Sequence, residues 1–229
     1  MKHIIIILLL LGCGSGVIGQ DLFFEVRGSY DHSIKETILK TATSLEDMIP
    51  FYPKNWITSY DSVTIICTKN GKVQKSVGPN EQLTAAQKAI LRAATIESEI
   101  EIFVNYKYRQ YENSILEAKE MHVIRTVVAV KEAQFVGGYE KLKDFIYDGG
   151  VGKYSQKSMH NGQIVKIGFT VNEKGAVTNV KLLTSSGNRA MDRKMLKLIE
   201  TMPLWNPAQL STGEFVKQDF VFKLGNDGC

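Results

Sequence analysis

Proline is scarce in this sequence, with five in 229 residues. That excludes a long proline-rich spacer, and nothing between residues 109 and 138 has the composition of a linker. Cysteine is scarcer still: Cys13, Cys67 and Cys229 are the three, and no Cys-x-x-Cys occurs. His32, His122 and His160 lie far apart, so no spacing suggests zinc, and no metal site is expected. There is no Walker loop, no Gly-x-Ser-x-Gly and no His-Glu-x-x-His. Glu97, Glu99 and Glu101 line one strand edge beside no histidine, which reads as a solvated face and not an acid/base pair. The net charge of +4 is spread along the chain without a Lys/Arg block, so no nucleic-acid partner is expected. These absences argue against an enzyme: no catalytic residues and no cofactor are assigned. The longest aliphatic run, Ile4 to Leu11, has eight residues, where a spanning helix needs about 20.

That run is nevertheless the most informative feature of the N-terminus. Met1, Lys2 and His3 form a short basic start, the apolar run follows, and Gly12 to Gly19 is rich in small residues. This is the three-part layout of a secretory signal peptide, assigned to residues 1–19. Val17-Ile18-Gly19 places modest side chains where signal peptidase reads them, so cleavage before Gln20 is expected. Leu10-Leu11-Gly12-Cys13 competes as a lipobox, in which Cys13 would be lipidated. Cys67 lies in an apolar strand-like run and reads as an inert buried thiol. An oxidising compartment would also permit its pairing with Cys229.

Residues 20–131 read as a first α+β domain with an antiparallel sheet. Residues 23–27 alternate as a short strand. Ser33 and Glu36 have the spacing of a capping box, and Ile34, Ile38, Leu45 and Ile49 follow near helical period, predicting a helix over 33–49. Pro50 and Pro53 end it, and Phe51, Tyr52 and Trp56 form an aromatic group that packs a loop onto a core. Residues 61–68 and 72–77 are strands joined by Asn70-Gly71, a strong hairpin signal. Thr84 and Gln87 form a second capping box, opening a helix to about Ile96. Residues 99–108 alternate cleanly, and a further strand covers about 121–130.

Residues 132–229 follow a different pattern. A helix is predicted over 139–147, broken by Gly149 and Gly150, with a short helix or turn over 153–160. Strands over 164–171 and 176–184 flank the turn Asn172-Glu173-Lys174-Gly175. Asn188 is placed to cap a helix whose Met191, Met195, Leu198 and Met202 share one face. Pro203 stops it, Trp205-Asn206-Pro207 turns, and a last strand covers 215–224.

Strand, strand, helix, strand is the order, and its marks are ordered too. Gly162, Phe169, Val171, Gly175, Val177 and Val180 come first, then Ser185-Ser186-Gly187, Met191-Asp192, Trp205, Pro207, Phe220 and Phe222. Over residues 133–224 the chain resembles the TonB C-terminal domain family, with Phe135-Val136-Gly137-Gly138 similar to the lead-in of its Bacteroidetes-type members. The resemblance implies a three-stranded antiparallel sheet with helices on one face. It also implies that the last strand is a sheet edge able to receive an extended peptide by β-augmentation. Carried over by position, the partner-binding strand is Val216, Lys217, Gln218, Asp219, Phe220, Val221, Phe222, Lys223 and Leu224, with Lys217, Asp219, Val221 and Lys223 facing outward. The implied partner is an outer-membrane TonB-dependent receptor or another envelope protein, and the implied location is the periplasm, or a membrane-anchored lipoprotein through Cys13. The chain departs from an energy transducer of this family in showing neither a spanning anchor nor a proline-rich spacer. A structural envelope scaffold that forms a homodimer through the same sheet is the alternative. In the first domain, residues 80–94 and the strand after them are similar to β-rich modules of GldM-type gliding and secretion proteins.

Overall fold

The computed structural model describes residues 24–30, 32–109, 115–151 and 164–225. The leader over 1–19, Cys13, Cys229 and the predicted turn over 153–160 lie outside the described residues.

In chain order the elements are β1 (Phe24–Gly28), β2 (Ser33–Lys35), α1 (Glu36–Thr41), α2 (Leu45–Met48), β3 (Ile57–Lys69), β4 (Lys72–Gly78), α3 (Ala85–Ala93), β5 (Glu99–Tyr108) and β6 (Glu117–Val128). There follow β7 (Gln134–Phe135), α4 (Gly138–Asp148), β8 (Val165–Val171), β9 (Val177–Thr184), α5 (Arg189–Glu200), β10 (Trp205–Asn206), β11 (Ala208–Gln209), β12 (Phe215–Val216) and β13 (Gln218–Leu224). The protein is α+β. It has a five-stranded sheet, β2-β6-β5-β3-β4, and a four-stranded sheet, β1-β13-β8-β9. Two hydrophobic cores correspond to them, one centred on Ile65, Ile100 and Ile102, the other on Ile167, Met191, Met195 and Phe222.

Local chemistry explains most boundaries. Asn70 and Gly71 have φ of 48° and 76°, the left-handed pair that matches a two-residue hairpin to the twist of its strands. They set the register Lys69↔Lys72 through Val63↔Gly78. At α3 the Thr84 hydroxyl accepts from Gln87 N–H at 3.2 Å, and the Gln87 amide oxygen accepts from Thr84 N–H at 2.9 Å. The rest of that fully buried amide donates to the Val63 carbonyl at 2.9 Å, tying the helix to the sheet. Asn188 caps α5 by accepting from Ala190 and Met191 N–H. The four apolar residues predicted to share a face, Met191, Met195, Leu198 and Met202, are all buried.

Two expectations fail for long-range reasons. The single helix over 33–49 does not form. Ser33 is drawn into β2 by parallel pairing with β6, so it is a strand residue and not a cap. The chain then opens at Ala42, because Thr43 accepts from Leu83 N–H and Leu45 N–H donates to Glu81. Ser44 with Asp47 starts a new turn, α2. The second failure concerns β1. Residues 23–27 were expected in the first domain's sheet, but Phe24–Gly28 is a strand of the second, and Phe24 belongs to the second core. The division at residue 131 therefore does not describe this strand.

The second core closes around Trp205, which is 5% exposed. Its ring lies 5.6 Å from that of Phe135, 5.8 Å from Phe169 and 5.1 Å from Phe220. Gly175 holds Trp205 from the β8–β9 turn: its carbonyl accepts from Trp205 N–H at 2.8 Å. Its φ is +80°, and a Cβ there would lie 2.0 Å from the Trp205 carbonyl oxygen. Gly175→Ala must therefore adopt a strained φ and push backbone against backbone. We expect a loss of about 2 kcal/mol or more, read as a lower urea midpoint at unchanged slope. An unchanged midpoint would show that the turn yields freely.

Candidate binding edge

The last strand alternates by sequence, and the fold uses that alternation. Gln218, Phe220, Phe222 and Leu224 are buried, while Asp219, Val221 and Lys223 are half-exposed on the open face, as the outward set predicts. On one side β13 pairs with β8 over seven positions, from Gln218↔Val171 to Leu224↔Val165.

The other side is where the sequence places a free edge, and it is filled. β1 runs antiparallel to β13 with Phe24↔Leu224, Glu25↔Lys223, Val26↔Phe222, Arg27↔Val221 and Gly28↔Phe220. β13 is thus an inner strand. The nine-residue binding strand is also divided: Val216 lies in β12, opposite Ala208 of β11. Lys217 sits between the two strands, where its ammonium hydrogen-bonds Glu97 at 3.1 Å. That bond and the Glu97 charge raise the Lys217 pKa above its ordinary value.

The main-chain polarity of the filled side follows from one bond. Ser29 N–H donates to the Asp219 carbonyl at 2.9 Å. In an antiparallel ladder a residue turns both its N–H and its C=O to the same neighbour, alternating along the strand. Asp219, Val221 and Lys223 therefore present their backbone groups to β1, and Gln218, Phe220, Phe222 and Leu224 present theirs to β8.

β1 is held by side chains as well. Phe24 is 4% exposed, its ring 6.3 Å from Phe222, 6.4 Å from Tyr139 and 5.8 Å from Tyr147. Burying such a ring contributes about 1.5–3 kcal/mol. Gly28 meets Gln218 closely: a Cβ there would lie 3.3 Å from its Nε2. Gln218 is committed to the connection between the sheets. Its Oε1 accepts from Ala133 N–H at 2.7 Å, and its Nε2 donates to Glu132 at 3.3 Å.

The Ser185-Ser186-Gly187 and Met191-Asp192 marks form a clamp between β9 and α5. Asp192 accepts from Ser185 Oγ at 2.5 Å, from Ser186 N–H at 2.9 Å and from Ser186 Oγ at 2.7 Å. These residues serve shape and contribute no chemistry at the edge.

With this geometry in place, residues 152–224 match the family described as Gram-negative bacterial TonB protein C-terminal. This segment is a TonB C-terminal domain. No curated protein and no solved structure matches the chain. The TonB C-terminal family is a protein-interaction domain and not an enzyme fold, and β8, β9, α5 and β10–β13 fall within the match. β1 falls outside it, as do the first sheet and α4. Among the described residues no group of three His, Cys, Asp or Glu could hold a metal ion, and no helix is long and apolar enough to cross a membrane. Cys67 is free and buried, and burial pushes its thiol pKa up.

The occupant Phe24–Gly28 is the part of the site that sequence reasoning missed. Its alternation marks a strand, but nothing in five residues says which of two sheets it will join.

The clamp yields a pH prediction. Burial pushes the Asp192 carboxyl up, but the bonds from Ser185 and Ser186 outweigh it and hold its pKa below the ordinary carboxylate value. A depressed carboxyl gives stability that is complete above its unfolded pKa and is lost as pH falls through the folded one. The clamp should therefore be intact at neutral pH and weaken only below about pH 4. Asp192→Asn should lower stability at pH 7 by about 1–3 kcal/mol and flatten the acid limb. Urea unfolding at pH 7 and pH 3 checks both; equal losses at the two pH values would contradict the ionised clamp.

Proposed function

We propose that this chain is an exported envelope protein whose TonB C-terminal domain binds an extended segment of an outer-membrane TonB-dependent receptor, in support of transport. The segment adds as a strand to the side of β13 that β1 fills, making main-chain bonds to Asp219, Val221 and Lys223. Such bonds supply affinity, and alternate side chains supply specificity. One observation carries the reading: the sheet takes a fourth strand at β13, and that strand comes from a segment remote in sequence and outside the family match. The signal-like first 19 residues support export.

Val221→Pro tests it. The substitution removes an N–H that points toward β1 and leaves the β8 ladder its donors. The full chain, used as bait in a Gram-negative envelope extract, should retain a TonB-dependent receptor. The variant should retain at least tenfold less, with its circular dichroism unchanged. An equal yield from a folded variant would exclude this strand as the binding edge, and recovery of the chain alone would favour the homodimeric scaffold.

A further inference from the structure

Resting on that reading, we propose that Phe24–Gly28 is a built-in occupant of the binding edge, which a partner strand must displace and whose side-chain pattern specifies that partner. Three features make β1 separable. The buried members of the second core come from residues 129–224, with Phe24 the one contribution from β1. Its loss leaves every pair between β13, β8 and β9 in place. β1 also pairs with no strand of the first sheet, so its departure leaves that sheet whole. Its C-terminal side is tethered through Ser29 and Tyr30 toward β2, which keeps it beside the site when released.

The occupancy is partial. β1 spans five residues and β13 seven, and of the two residues beyond Gly28↔Phe220 one, Asp219, is met only by the bond from Ser29. A partner strand that continued past the position of Gly28 would place a strand residue opposite Asp219, which the resident reaches through the Ser29 N–H. What it must resemble is set by what β1 satisfies. Opposite Leu224 and Phe222 the resident places Phe24 and Val26, so an aromatic and then an aliphatic residue face the core. Between them Glu25 lies opposite Lys223, which favours an acidic side chain on the open face. Opposite Phe220, Gly28 stands where a Cβ would crowd Gln218, which calls for glycine or another small residue. The partner segment is therefore extended, antiparallel to β13, and reads aromatic, acidic, aliphatic over its first three positions and small at the fifth.

A reversible lock tests the displacement. In the full chain with Cys13→Ser and Cys229→Ser, Arg27→Cys and Val221→Cys face each other across the β1–β13 pair, within the usual disulfide span. The probe is a fluorescein-labelled peptide with the sequence of residues 24–30, Phe-Glu-Val-Arg-Gly-Ser-Tyr, read by anisotropy against a scrambled control. The reduced chain should bind it at least tenfold more tightly than the oxidised chain. Deleting residues 1–30 should tighten binding at least tenfold over the intact chain. Equal affinity in the oxidised, reduced and deleted forms would overturn the proposal. So would a deleted chain that does not fold, because a strand able to leave must leave a folded domain behind. Peptide binding as expected, without receptor capture from the extract, would sustain the occupant and reject the receptor. Receptor capture by the oxidised chain would keep a receptor partner and reject displacement.

Discussion

Backbone satisfaction on both sides of β13 is the constraint from which the rest of this structure follows. A strand lying over a packed core cannot leave a row of N–H and C=O groups unmet without exposing a template for further pairing. β8 meets one row. The other faces outward from the matched segment, and the chain meets it with five residues that precede the first sheet in sequence. Beside this row, the connection between the two sheets passes the end of β1 and is fixed to the first residue of β13 by the Gln218 side chain, which bonds Ala133 N–H and Glu132.

Several of the described residues that carry the resemblance brace this strand from its neighbours. Gly175 and Trp205 brace the β8–β9 turn against Phe135, Phe169 and Phe220. Asp192, Ser185 and Ser186 hold α5 to the end of β9. Phe220 and Phe222 are buried beneath that scaffold, while the backbone of Asp219, Val221 and Lys223 turns to β1.

Much of what depends on neighbours in sequence is legible in the sequence, although the aromatic group expected to pack onto a core leaves Phe51 and Trp56 exposed. Asn70-Gly71, the Thr84 and Gln87 box, the Asn188 cap and the alternation over residues 99–108 each carry their own geometry. The TonB-like order of marks over the second domain predicted its sheet and helix. What could not be read depends on distant partners. Ser33 and Glu36 have a cap's spacing, yet β6 claims Ser33 for a parallel strand, and Glu36 turns its carboxylate to Lys40 and the Ser211 amide. The segment over 43–45 pairs with residues 81–83 in place of continuing the helix. β1 is the largest such case: its alternation fits either sheet, and only the unmet row on β13 decides between them.

The central claim is that this row is a docking edge with a resident strand, and cross-strand NMR contacts test it most directly. Val26 and Phe222 form a close, non-hydrogen-bonded pair by the alternation set at Asp219, so their Hα protons should lie within about 3 Å and give a strong contact. Phe222 and Ile167, paired on the other side, anchor the comparison. Adding a saturating partner segment should abolish the contact between Val26 and Phe222 and replace it with one to the partner, while the backbone contacts of Phe222 with Ile167 remain. Persistence of the Val26 contact in the saturated complex would contradict the account.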